Sequence, residues 1–161
     1  VSGFFYGLKE CLMAKTTFIA IALFVLLGYG TLNASAQMEP SVEFDQITLT
    51  IDGKLYQMEY AHSFEQRAQG LMFRESLCDD CGMFFKFASS RYASMWMKNT
   101  NVALDVAYID RNGVITDIKP LEPHDLTSVQ ATKEVLYALE MNQGWFASHN
   151  ISVGDQIEIN R

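Results

Sequence analysis

The sequence predicts a mostly β, α+β fold: a compact, largely antiparallel, barrel-like sheet carrying one or two short helices. Three observations predict it. Short runs of alternating apolar and polar residues recur along most of the chain, from Phe44–Ile51 to Gln156–Asn160. Turn sequences such as Asp52-Gly53 and Asn112-Gly113 join them, so successive strands should pair antiparallel. Only the segment opening at Ser63 carries a strong helix-start signal. Closure into a small barrel is favoured over a sandwich because it removes exposed strand edges.

The elements follow in order. Phe44–Ile51 alternates with period two, placing Ile47, Leu49 and Ile51 on one face. Asp52-Gly53 turns the chain into a return strand, Lys54–Ala61. Ser63-x-x-Gln66 is a capping box, and Phe64, Ala68 and Leu71 follow on one helical stripe that also carries Arg67. Gly70 weakens the last turn, so the helix should end near Leu71 or Met72. Gly82–Phe87 and Ser94–Lys98 read as short strands, the second stopped by Asn99-Thr100-Asn101. Leu104–Asp110 and Val114–Lys119 form a pair around Arg111-Asn112-Gly113. A loop then runs from Pro120 to Thr132. Glu134–Met141 is a strand, Asn142–Asn150 a short helix around Trp145 and Phe146, and Gln156–Asn160 the last strand.

Residues 1–36 read as a cleavable signal peptide preceding a single domain over 37–161. Lys9 and Lys15 precede the apolar run Phe18–Leu27, and Ala34-Ser35-Ala36 matches a small-x-small cleavage site. The run is short for a membrane span, which needs about 20 residues, so no stable membrane insertion is expected after cleavage. A retained anchor is the alternative. The expected location is periplasmic or secreted. The net charge of −7 argues against nucleic acid or an anionic membrane as the main partner.

Once the leader is removed, Cys78 and Cys81 remain, in Cys-Asp-Asp-Cys. An oxidising compartment makes a local disulfide the default. A metal clip and a redox role are the alternatives, the latter disfavoured because the two acids would raise a thiol pKa.

The charged residues that ought to face inward carry the functional expectation. Arg67, Arg74 and Lys98 sit among large apolar residues, and buried charge needs partners. Alternation puts Asp105 on a face with Ala107 and Ile109, and Glu140 on a face with Leu136 and Ala138. One reading is a structural ion-pair network joining helix to barrel. The other is a ligand pocket of Arg67, Arg74, Lys98, Asn99, Asp105 and Glu140, with arginine suited to a carboxylate or phosphate. Met95-Trp96-Met97, with Met72 and Met83, raises a soft copper site against the plainer reading of core packing. His62, His124 and His149 match no metal-ligand spacing, and no nucleotide-binding or nucleophile-elbow motif is present. No metal or cofactor is therefore expected.

Arg67-x-x-Gly70-Leu71-Met72-x-Arg74, Gly82-Met83-x-Phe85-x-Phe87 and Trp96-Met97-Lys98-Asn99-Thr100 together resemble the prokaryotic domain of unknown function family 192. The resemblance continues through Leu104-Asp105, Asp110-x-x-Gly113, Leu139-Glu140, Gly144-Trp145 and Val153-Gly154-Asp155. It covers about Ile47 to Ile159 and implies a compact, mostly β, barrel-like domain that is often exported or membrane-tethered. It brings no activity, cofactor or catalytic residue. Met95 and Ala103 depart from the family pattern, and the cysteine pair looks particular to this chain or a subgroup. The leading expectation is a binding module for a small polar or anionic ligand or envelope component. The alternatives are an envelope hydrolase using Asp105 and Glu140 as acid and base, and a periplasmic copper or redox accessory protein.

Overall fold

In the computed structural model, which describes residues 42–160, seven strands form one curled sheet. Its order is β6-β5-β8-β3-β2-β1-β9. The elements are β1 (Asp45–Ile51), β2 (Lys54–Ala61), α1 (Phe64–Gln69), β3 (Gly82–Arg91), β4 (Ser94–Met95), β5 (Leu104–Ile109), β6 (Ile115–Leu121), β7 (Val129–Gln130), β8 (Val135–Asn142), α2 (Trp145–Ser148) and β9 (Ile157–Asn160). All pairings within the sheet are antiparallel except β2 with β3. The parallel pair exists because α1 and the loop after it carry the chain back to the same end, as a crossover must. The expected leader and its cleavage point lie outside the described residues. No described helix is long and apolar enough to cross a membrane.

The sheet curls far enough for its edge strands to meet. Val114 bridges Gln156, and Ile157 N–H donates to Gly113 O at 2.8 Å. Gly113 permits this approach: a Cβ there would lie 2.4 Å from Ile157 O, and its φ is +85°. The inner face is filled by Leu49, Ile51, Met58, Phe84, Ile109, Leu139, Met141 and Ile157, and α2 closes it with Trp145 and Phe146. The outer face of β3, β5, β6 and β8 carries a second core of Met83, Phe85, Val106, Tyr108 and Ala138. Leu71 after α1 and Met97 after β4 pack onto it.

Most expected elements form, with informative differences. Ser63 caps α1 as anticipated, its hydroxyl accepting from Gln66 N–H at 3.1 Å while Gln66 Oε1 accepts from Ser63 N–H at 2.9 Å. The helix stops earlier than expected, with Gly70 as its C-cap at φ +50°. Phe64 does not join the buried stripe; it is 74% exposed, while Leu71 is buried. β3 runs on to Arg91 across a register shift. The expected strand Ser94–Lys98 contracts to two residues pairing with β7, which lies inside the expected Pro120–Thr132 loop. Pro120 is tolerated in β6 because that strand lies at the end of the strand order.

Candidate functional site

A cavity of about 270 Å³ opens on the outer face between α1, the β3–β4 connection and β8. Its lining joins Arg67 and Arg91, the rings of Phe85, Phe87 and Trp96, the thioethers of Met72, Met95 and Met97, and Glu140. Local structure explains each contribution. The capping box holds α1 so that Arg67 Nη1 donates to the carbonyls of His62 and Lys86, the latter at 3.0 Å. The helix is thereby fastened to β3 through the guanidinium. Gly70 then turns the chain over the Phe85 ring and delivers Leu71 and Met72. At the other end, Ala131 N–H donates to Ala93 O at 2.8 Å and Met97 N–H to Asp125 O at 2.9 Å. These bonds hold the Met95-Trp96-Met97 segment over the opening.

Glu140 is the unusual member. It lies on β8, a central strand, paired across the ladder with Met83 on one side and Val106 on the other, both fully buried. The Glu140 residue is only 5% exposed, yet no hydrogen bond or ion pair reaches its carboxyl among the described residues. Burial pushes this carboxyl up to about 8, with no cation to offset it. The Tyr108 phenol is also pushed up, first by burial and then by the charge of Glu140, and its hydroxyl is already committed to Val129 O. Gly82 lies directly against the Glu140 backbone: a Cβ there would sit 2.3 Å from Glu140 O and 2.3 Å from Met141 Sδ. Only glycine lets β3 and β8 approach so closely at this point.

Of the six expected ligand-binding residues, the fold brings only Arg67 and Glu140 to this cavity. Arg74 pairs with Glu59 at 2.7 Å and lines a separate cavity of about 320 Å³ beside the disulfide loop, where its charge is already neutralised. Lys98 is exposed, its Nζ 5.5 Å from the Trp96 ring centroid. Asn99 is also exposed, in a left-handed conformation at φ +55°, and its carbonyl accepts from Phe73 N–H at 2.7 Å. Asp105 pairs in register with Met141, whereas Glu140 pairs with Val106, so the two carboxylates point to opposite faces of the sheet. Asp105 Oδ2 accepts from Gly144 N–H at 2.7 Å and caps the turn into α2. The expected acid–base pair is thus not formed, and neither acid joins the anticipated ion-pair network with the arginines.

Arg91, Phe64 and Met72 also line the cavity and were not among the expected ligand-binding residues. Arg91 was hidden because Ala88-Ser89-Ser90 breaks the alternation, although the strand continues through it. Cys78 and Cys81 form a disulfide with a Cα separation of 5.0 Å, away from this cavity. Among the described residues no group of three or more His, Cys, Asp or Glu could hold a metal ion. Met72, Met95, Met97 and Trp96 do gather at the cavity, while Met83 stays in the core.

Three comparisons place this chain among known proteins. Residues 47–159 match the model of the DUF192 family, described as Uncharacterized ACR. A crystal structure from Sinorhizobium meliloti, described as that of a candidate transcription regulator, is 33% identical. That match covers 74% of this chain and 97% of the other, with a TM-score of 0.70. A protein of unknown function from Novosphingobium aromaticivorans is 30% identical, covering 80% and 99%, with a TM-score of 0.65. No curated protein matches.

Proposed function

Since this chain belongs to the DUF192 family, which brings no activity with it, we propose on the geometry of its outer cavity that it is a binding module for a small polar or anionic ligand. One observation carries the reading: among the described residues, a buried carboxyl without a hydrogen-bond or ion-pair partner opens on the same cavity as two arginines that form no ion pair. A carboxyl drawn largely out of water and left without a protein partner carries a cost, and here its remaining contact with solvent is through the cavity. The cavity volume, about 270 Å³, falls just below the usual range for drug-sized ligands, so a metabolite-sized occupant fits it. Arg91 is exposed and Arg67 half-buried, so their free donors suit a carboxylate or phosphate arriving from solvent.

The leader read in residues 1–36 supports a periplasmic or secreted location, where an envelope-derived ligand is accessible. A nucleic-acid partner, of the kind a transcription regulator would bind, is disfavoured by the net charge of −7.

The test is chemical-shift mapping of the domain with small carboxylates, hexanoate first. Saturable shifts confined to residues 64–72, 85–100 and around Glu140 are expected, weakened several-fold by Arg91→Ala. Arg91 is the variant to use because Arg67 also fastens α1 to β3. Absence of saturable shifts, or shifts elsewhere on the molecule, would remove the proposal. The thioethers at the cavity favour a second reading, a soft Cu(I) site beneath Trp96. Competitive Cu(I) titration decides it: binding that survives the combined Met72→Leu, Met95→Leu and Met97→Leu substitutions would exclude the thioethers as ligands.

A further inference from the structure

The same cavity says more about its occupant, because its charged groups are set apart along the sheet. Arg91 pairs with Val135 at one end of β8, and Glu140 pairs with Met83 five residues further on. At a rise of about 3.4 Å per residue, the two backbone positions are roughly 17 Å apart. Arg67 Nη1 rests on the carbonyl of Lys86, which pairs with Tyr137, so the second guanidinium lies between the two, about 10 Å along the strand from Glu140. The separation agrees with the chemistry at Glu140, where burial acts unopposed by any cation.

Elsewhere, opposite charges meet. Arg74 has Glu59 at 2.7 Å and Lys119 has Asp117 at 3.7 Å. Among the described residues Arg67 and Arg91 have no carboxylate within ion-pair distance, although the charge of Arg67 does reach Glu65. The cavity therefore presents guanidinium charge outside any ion pair at one end and a carboxyl outside any ion pair at the other, among the described residues. Phe85, Phe87 and Trp96 line the interval. Aromatic faces accept the methylene chain of a ligand and also favour a cationic nitrogen. A monoanion would use only the arginine end and leave Glu140 as it is.

We infer that the occupant is a short zwitterion with spaced charges, an ω-amino carboxylate or a dipeptide, its carboxylate at Arg67 and Arg91 and its ammonium at Glu140. This inference rests on the binding reading above and adds the second charge and its spacing. The ammonium supplies the cation that Glu140 lacks. The carboxyl then ionises in the complex and gives its proton to solvent.

Matched probes separate the two claims. The domain is titrated by calorimetry with hexanoate, hexylamine, 6-aminohexanoate and norleucine, whose two charges lie on one carbon. 6-Aminohexanoate should bind at least tenfold more tightly than hexanoate, hexylamine or norleucine. Glu140→Gln, which keeps the side-chain shape, should abolish the gain of 6-aminohexanoate over hexanoate. In wild-type protein at pH 7, repeating the titration in buffers of different ionisation enthalpy should show close to one proton released for 6-aminohexanoate and none for hexanoate. That measurement does not depend on how the variant folds. Equal affinity for hexanoate and 6-aminohexanoate, or no proton release, would overturn the zwitterion while leaving the binding module standing. Failure of every probe to bind would remove both. Tight binding of norleucine would overturn the spacing.

Discussion

The two faces of one sheet handle polar groups in opposite ways. On the inner face the polar groups around Trp145 are paired: Asp105 takes Gly144 N–H at 2.7 Å, and Asp80 takes the Trp145 indole N–H at 2.9 Å. His149 stacks on the same indole with ring centroids 4.2 Å apart. On the outer face Glu140 is buried at 5% exposure, its carboxyl has no hydrogen-bond or ion-pair partner among the described residues, and a cavity lies over it. The strands are shared, so strand propensity cannot account for the difference. What differs is the cover. The inner face is closed by α2 and by the meeting of β6 with β9, whereas the outer face is roofed by a six-residue helix, α1, and the two-residue strands β4 and β7. A face closed by large aromatic side chains supplies stability, and a face roofed by short segments leaves room for a ligand.

The largest expected effect tests the filled face. Trp145→Ala removes the indole that packs edge-on to Tyr56 at 5.2 Å and Phe146 at 5.3 Å, and with it the hydrogen bond to Asp80. A loss of roughly 3–5 kcal/mol is expected from denaturant unfolding. A loss below about 1 kcal/mol would mean that α2 does not close this face, and the contrast between the faces would go with it.

An effect of comparable size tests the open face and has a definite sign. Glu140 binds its proton more tightly when folded, at about 8 against an ordinary 4.5. Between those values the native state holds a proton that the unfolded chain has released. Stability from this group therefore falls as pH rises through that window and is flat above it. Glu140→Gln has no proton to lose. It should match wild type at acid pH and exceed it above pH 8 by on the order of 5 kcal/mol. Parallel pH profiles for the two proteins would show that Glu140 has a partner after all.

The strands were legible because burial on one face writes a period of two into the sequence, and both Asp52-Gly53 and Ser63-x-x-Gln66 act through local backbone chemistry. Which acid goes with which cation was not legible. Alternation showed that Asp105 and Glu140 each share a face with apolar residues, but the relation between their faces depends on the β5–β8 register. That pairing joins residues far apart in sequence, and a slip of one residue would have put the two carboxylates together. Glu140 followed Ala138 to the outer face as expected, whereas Leu136 packs with the inner core. Arg91 was out of reach for a different reason: its strand continues past an irregularity where hydrogen bonds to β8, not side-chain pattern, hold it.

A smaller effect concerns the disulfide loop, which feeds the inner face through Asp80. Replacing Cys78 and Cys81 by serine opens a very short loop, so the cost by chain entropy is about 2 kcal/mol at most. Near-ultraviolet circular dichroism should report loosening around Trp145, with hexanoate binding at the outer cavity unchanged. A loss of hexanoate binding would tie the two faces together.

The smallest effect asks whether Asp105 belongs wholly to the inner face. Asp105→Asn keeps an oxygen that can accept from Gly144 N–H, so the turn into α2 retains its hydrogen bond and loses only the charge. Charge-assisted bonds exceed neutral ones by a modest margin, and this one is half-exposed, which sets the expected cost below about 1 kcal/mol. Because its carboxylate points away from Glu140, the substitution should leave affinity for 6-aminohexanoate and the proton released on binding both unchanged. Glu140→Gln, one register position away on the neighbouring strand, should change both. If Asp105→Asn instead weakened binding as strongly, strand position would not separate the two carboxylates, and the division of labour between the faces would have to be abandoned.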